Sequence, residues 1–293
     1  MTIFRRIRAT ATLSVLLLTA AACAQGGNDA GGPDPGPVSL ESDVAAIRVD
    51  YTGGFSTPGM IAARLPLIAV YGDGRVITQG PQVMVYPGPA LPNLQVQTIN
   101  ANDVDALIER ALAAGVGQAT DFGQPPVADA ASTRITVTTS DGEKVLEVYA
   151  LEETPEDGAG LNATQVDARA KVKEFVASLN DLSGTLGAGA VGAPQPYVPT
   201  AVAAIAEPWV AGDPALPAPP EVAWPGPALP GKPVGPGLEV GCVSADGEAA
   251  TKVLSAAGTA TSATPWTSEG KSFTVHLRPL LPDETDCADL LAG

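Results

Sequence analysis

His276 is the only histidine among the 293 residues, so any Ser–His or Cys–His pair for nucleophilic catalysis would have to be built on it. In Phe273-Thr-Val-His-Leu-Arg278 the alternation sets Phe273, Val275 and Leu277 on one face of a strand and His276 with Arg278 on the other. A neighbouring guanidinium opposes a cationic imidazole, which points to a half-exposed structural histidine. Two carboxylates alone would suffice for glycoside hydrolysis. The acidic clusters, Glu152-Glu153 with Glu156-Asp157 and Asp283-Glu284 with Asp286, lie in Pro/Gly-punctuated stretches that read as solvated loops. Neither follows the alternating Asp/Asn pattern of an EF-hand loop, and one histidine with two distant cysteines does not make a zinc site. The phosphate-cradling patterns G-x-x-x-x-G-K-[ST] and G-x-G-x-x-G do not occur. No catalytic residue, cofactor or metal is therefore expected. Asn162-Ala163-Thr164 fits a glycosylation acceptor, but its place before an amphipathic stretch suits a helix cap better.

The charges are unevenly placed. Acidic residues outnumber basic ones 32 to 16 and none precedes Asp29, whereas Arg5, Arg6 and Arg8 all fall in the first eight positions. Behind these arginines runs a mild apolar stretch, Ala9 to Ala22, then Cys23, then the abrupt change to AQGGNDAGGPDPGP. Fourteen residues diluted by Thr and Ser are too few to span a bilayer, which takes about 20, and the pattern is that of a secretory signal peptide over residues 1–22. Without it the net charge becomes 13 − 32 = −19, which disfavours nucleic acid and anionic lipid as partners.

Leu18-Thr19-Ala20-Ala21-Ala22-Cys23 resembles the lipobox of bacterial lipoproteins, with Ala20 where that family prefers Leu. The resemblance covers residues 1–23 and implies cleavage before Cys23, a diacylglyceryl group on its thiol, and attachment to the extracytoplasmic face of the cell membrane. Ordinary secretion is the competing reading, because Ala22-Cys23-Ala24 is also an A-x-A cleavage site. The Ala-, Gly- and Pro-rich usage is similar to that of high-GC actinobacteria. With Cys23 lipidated or removed, Cys242 and Cys287 remain as an even pair in an oxidising compartment, and a disulfide between them is expected.

Residues 23–42 read as a flexible tether. An α+β domain is expected over 43–183, an antiparallel sheet packed by two amphipathic helices. Ile47, Val49 and Tyr51 alternate with Arg48 and Asp50; Leu67–Tyr71 and Arg75–Thr78 flank the turn residues Gly72-Asp73-Gly74; and Leu94–Ile99 forms a further strand. A helix follows from an Asn100 or Asn102 cap, with Val104, Leu107, Ile108, Ala111 and Leu112 on one stripe and Gly115 closing it. Arg134–Thr139 and Lys144–Leu151 form a second hairpin, and Val172, Phe175, Val176 and Leu179 mark a second helix. Residues 184–236 read as a Gly/Pro-rich, partly ordered connector with 13 prolines from Pro194 to Pro236 and an edge strand near Ala201–Trp209. A small disulfide-closed αβ unit over 237–293 holds a helix from Ser244 to Ala257 and a strand from Lys271 to Leu280.

Pro-Gly-Pro-Ala-Leu-Pro occurs twice, after Tyr86 and after Trp224, and a helix ending Ala-Ala-Gly follows each copy. Duplication and chance in a Pro/Ala/Gly-rich chain both remain open. Tyr86, Trp209, Trp224 and Trp266 stand among prolines and offer a recognition surface for an envelope protein or glycan, with core filling as the other use of such residues. The expectation is a lipid-anchored, non-catalytic interaction or structural module of the cell envelope; the alternative is an envelope-polymer hydrolase using paired carboxylates.

Overall fold

The structure, a computed structural model, describes residues 40–154, 158–211 and 219–291. The expected signal peptide, Cys23 and the tether up to residue 39 lie outside these, as do Glu156 and Asp157. The fold class is α+β, and the strands form two sheets rather than one.

The first sheet contains β1 (Ala45–Gly53), β2 (Ile68–Tyr71), β3 (Arg75–Gln79), β4 (Leu94–Thr98), β5 (Ala131–Thr139), β6 (Gly142–Tyr149) and β7 (Gln195–Pro196). Their order is β6-β5-β1-β2-β3-β4-β7, antiparallel throughout. Between these strands come α1 (Pro58–Ala62), α2 (Ala101–Ala113), α3 (Ala163–Asn180) and α4 (Leu182–Leu186). Alternation places Ile47, Val49, Ile68, Val70, Ile135 and Val137 on one face, against Leu107 and Ile108 of α2 and Phe175 and Leu179 of α3. Both long helices begin at asparagines. The Asn100 side chain accepts the N–H of Asp103 at 3.0 Å, and Asn162 forms a reciprocal capping box with Gln165.

The second sheet contains β8 (Ala201–Pro208), β9 (Val222–Ala223), β10 (Lys232–Pro233), β11 (Gly241–Asp246), β12 (Trp266–Ser268) and β13 (Lys271–Pro279). Their order is β10-β11-β8-β13-β12-β9, with β12 and β9 the one parallel pair. Helix α5 (Gly247–Ala257) covers one face, burying Ala250, Val253 and Ala257 against Val202, Ala204, Val275 and Leu277. The other face, with Ala203, Ile205 and Arg278, turns toward Arg48 and Tyr71 of the first sheet, and residues 280–284 fill the space between. Helix α6 (Cys287–Leu291) is held to β11 by the Cys242–Cys287 disulfide that cysteine parity predicts.

Three expectations need correction. The strand near Ala201 is interior, between β11 and β13, and not an edge. Residues 201–207 hold no proline, so both of its ladders are complete, and its Ala-rich faces let the layers on each side approach. The helix expected from Ser244 starts at Gly247, because Cys242 to Asp246 continue as a strand paired with β8. The segment expected as a connector supplies β7 to the first sheet and β8, β9 and β10 to the second.

Candidate interaction surface

At one end of the first sheet two connections emerge together. The β1–β2 connection carries α1, and the β3–β4 connection spans residues 80–93; the pairings Val49–Ile68, Ile68–Thr78 and Gln79–Leu94 fix both at the same end. Phe55 is 93% exposed, Met84 98% and Tyr86 87%, and Met60, Ile61, Val83 and Val85 are exposed beside them. Scattered exposed apolar residues need no explanation, but seven large ones on two connections at the same end of the sheet do.

The β3–β4 connection is pinned at its base. Gly80 N–H donates to Asn93 O at 2.7 Å and Asn93 Nδ2 to Pro81 O at 2.8 Å. Beyond the tip, Ala90 N–H donates to Ala260 O at 3.1 Å, and Ser262 N–H donates to Gly88 O at 2.8 Å. The four exposed residues Val83 to Tyr86 are thus presented from a fixed base. Residues 51–63 and 79–102 contain no Asp, Glu, Lys, Arg or His, in a chain with 48 Lys, Arg, Asp and Glu. Of the exposed residues in these stretches, Tyr86 is the one that its proline neighbours single out in the sequence.

No protein-family model, curated protein or solved structure matches this chain.

A polar cluster joins the two sheets. Arg48 of β1 donates from Nη1 to Asp283 Oδ2 at 2.9 Å, from Nη2 to Glu284 Oε1 at 2.7 Å and from Nε to Asp50 Oδ1 at 3.3 Å. Arg278 of β13 grips the same Glu284 with two parallel bonds, 2.9 and 2.7 Å, and Leu281 N–H adds a third donor at 2.8 Å. Tyr71 Oη donates to Asp283 Oδ1 at 2.7 Å. Burial alone would raise the pKa of Glu284, but the two guanidinium groups and the backbone donor outweigh it and hold the carboxyl below its ordinary value. Asp50 is raised, burial outweighing Arg48. Tyr71 is raised by burial and by the Asp283 charge. Arg278 is 1% exposed, so at this position the polar face of β13 meets the first sheet and not water. Every member is paired, and the cluster is a clamp between the sheets.

The remaining predicted residues separate. Trp266 and Trp224 are core, edge to face with centroids 5.4 Å apart, so the four aromatics do not share one surface. Proline neighbours made them look exposed; instead Gly226 leaves room for the Trp224 ring to lie on the backbone. Trp209 is half-buried and lines a groove of about 540 Å3 with Pro208, Pro230, Val240, Lys271 and Phe273. His276 Nε2 lies 3.2 Å from Glu207 Oε1 on the neighbouring strand, half-buried as its alternation suggested. Glu41, Asp43, Glu143 and Asp283 line a second groove, of about 390 Å3, beside Arg48. Among the described residues no group of three or more His, Cys, Asp or Glu is placed to hold a metal ion, and no helix is long and apolar enough to cross a membrane.

Proposed function

We propose that this chain is a lipid-anchored extracytoplasmic protein of the cell envelope, a non-catalytic module whose work is done by contact through the apolar end of its first sheet. The observation that carries the contact surface is the exposure of Phe55, Met60, Ile61 and Val83 to Tyr86 on two connections whose stretches 54–63 and 80–93 hold no charged residue. The lipobox-like residues before Cys23 support attachment at the membrane, and the disulfide fits an oxidising compartment. Two measurements test the two parts. Cys23→Ala should move the protein from the membrane fraction to the soluble one; unchanged membrane retention overturns the lipid attachment. A photo-crosslinking residue at Met84 should give discrete adducts in cells while one at exposed Glu109 gives none; equal or absent adducts overturn the contact surface.

A second reading, an envelope-polymer hydrolase, draws on the four carboxylates lining one groove. It predicts polymer cleavage that Asp283→Asn abolishes. Within that groove Asp283 is engaged by both Arg48 and Tyr71, which suits a structural role better.

A further inference from the structure

We propose that Met84, with Met60 as a slower second site, is an oxidation site at which a peroxide converts the thioether to its sulfoxide and so turns the contact surface polar. This rests on reading Phe55, Met60, Ile61 and Val83 to Tyr86 as the contact surface, and adds how contact there is regulated.

The distribution of sulfur carries the inference. Beyond Met1 the sequence has two methionines, Met60 and Met84. Among the described residues the two cysteines are already joined as the Cys242–Cys287 disulfide, so these two thioethers are the sulfur atoms left to oxidise. Met84 is 98% exposed and Met60 53%, and none of the hydrophobic clusters includes a methionine. An oxidant therefore meets its sulfur on the two connections read as the contact surface, and not in a core where a sulfoxide would disturb the packing.

The fold holds both side chains outward. Met84 stands between the Gly80–Asn93 bond at the base of its connection and the bonds that tie Gly88 and Ala90 to Ser262 and Ala260. Met60 belongs to α1, whose neighbouring residue Gly59 is buried against the second sheet. A methyl group on Gly59 would lie 3.3 Å from Glu207 Oε2 and 3.4 Å from His276 Cδ2. With that side of α1 seated, Met60 is left half outside, which makes it the slower site.

The chemistry needs hydrogen peroxide as its one co-reactant. The sulfur lone pair forms an S–O bond to one peroxide oxygen as the O–O bond breaks. The departing hydroxide takes the proton of the new S–OH group and leaves as water, so sulfur loses two electrons and the peroxide gains them. The product carries a strong hydrogen-bond acceptor where the thioether had a weak one. Covering that oxygen with a partner would strip it of water, so the oxidised surface stays solvated.

The test has two arms. The purified full chain is treated with hydrogen peroxide and its peptides are followed by mass spectrometry. Met84 should gain one oxygen at a rate within about twofold of free methionine, and Met60 more slowly, with an unchanged circular dichroism melt. In cells, a photo-crosslinking residue at Val85 reads the contact. A peroxide pulse should cut its adducts about tenfold, and Met84→Gln, with a polar amide in place of the thioether, should start at that reduced yield. In the double variant Met60→Leu/Met84→Leu the same pulse should leave that variant's own yield unchanged. Oxidation of Met84 about tenfold or more slower than free methionine overturns the site. Equal losses with and without the methionines overturn the regulation, as does a sulfoxide, or Met84→Gln, that leaves the adducts unchanged. Absence of adducts before any oxidant overturns the contact reading and the regulation with it, whereas the other results overturn the oxidation inference alone.

Discussion

Residues 87–92 and 225–230 are the same six residues, Pro-Gly-Pro-Ala-Leu-Pro, yet the aromatic residue in front of each copy has a different fate. Tyr86 stands in solvent, while Trp224 turns inward, its Nε1 donating to Pro227 O at 2.7 Å and its ring edge to face with Trp266. The backbones differ too, with the cis peptide before the first proline of one copy, Tyr86-Pro87, and before the last of the other, Leu229-Pro230. Both copies nevertheless place apolar residues on one core: Leu229 is buried in it, and Ala90 and Leu91 of the other copy pack against it from the first half. The second half has a small, Ala-rich core with one helix, and it borrows surface from its neighbour. The first half has two long helices and a core of Ile, Val, Leu and Phe. A six-residue motif does not carry its own conformation; what it packs against decides whether its aromatic neighbour fills a core or is left as contact surface.

The largest expected effect breaks the comparison at the aromatics. Trp266→Ala should cost about 3–5 kcal/mol, since it empties the centre of the smaller core. Tyr86→Ala should change stability by less than about 0.5 kcal/mol, as expected of an exposed side chain. Urea unfolding of the two variants checks this, and similar midpoints would show that the second core does not depend on its tryptophans.

The link between the halves can be broken separately. Glu284→Ala leaves Arg278 buried with no counterion and Arg48 short of one, at a cost of about 3–5 kcal/mol. The wild-type clamp also sets a pH dependence. The folded pKa of Glu284 lies below its unfolded value, so its contribution is present above the ordinary glutamate value and is lost as pH falls through the folded one. Asp50, raised by burial, takes up its proton earlier in the same descent and partly offsets that loss. Thermal melts between pH 7 and pH 3 should therefore fall less steeply for Glu284→Ala than for the wild type.

The disulfide tests whether the smaller core needs outside help. It closes a loop of sequence separation 45, for which the chain-entropy model gives about 4 kcal/mol, and engineered cases often give less. Replacing both Cys242 and Cys287 with Ala should lower stability by about 2–4 kcal/mol, with hydrogen exchange speeding up in β8, β11 and β13 before it does in β1 and β5.

Much of the first half was legible because its signals are local. Alternation in β1, the Asp73-Gly74 turn and the Asn100 and Asn162 caps each depend on a few neighbouring residues. The clamp was not legible, because Arg48 and Glu284 lie 236 positions apart and alternation tells which residues share a face, not what that face meets. Arg278 therefore read only as the neighbour of His276 on the polar face of a strand. Prolines misled in both directions: they hid the interior strand β8, which ends at Pro208, and they made Trp224 look solvent-facing. The charge-free residues 79–102 were visible from the start, but only the structure shows that Val83 to Tyr86 are not core.

The smallest test compares the two glycines at the same place in each copy. A methyl group on Gly226 would lie 2.8 Å from the Trp224 ring and 2.9 Å from Val253, both packed in the core, so the ring would have to leave its seat against Trp266. A methyl on Gly88 would meet only Val85 O, at 3.7 Å, an ordinary contact. Neither glycine needs a left-handed backbone, so Ala adds no backbone strain at either site and reduces the freedom of the unfolded chain at both. Gly226→Ala should then destabilise by about 1–3 kcal/mol, as overpacking does, while Gly88→Ala should be neutral or stabilise by up to about 1 kcal/mol. Chemical denaturation of the pair resolves a difference of that size. Equal effects would mean that the copies share one environment, which the burial of Trp224 against the exposure of Tyr86 argues against.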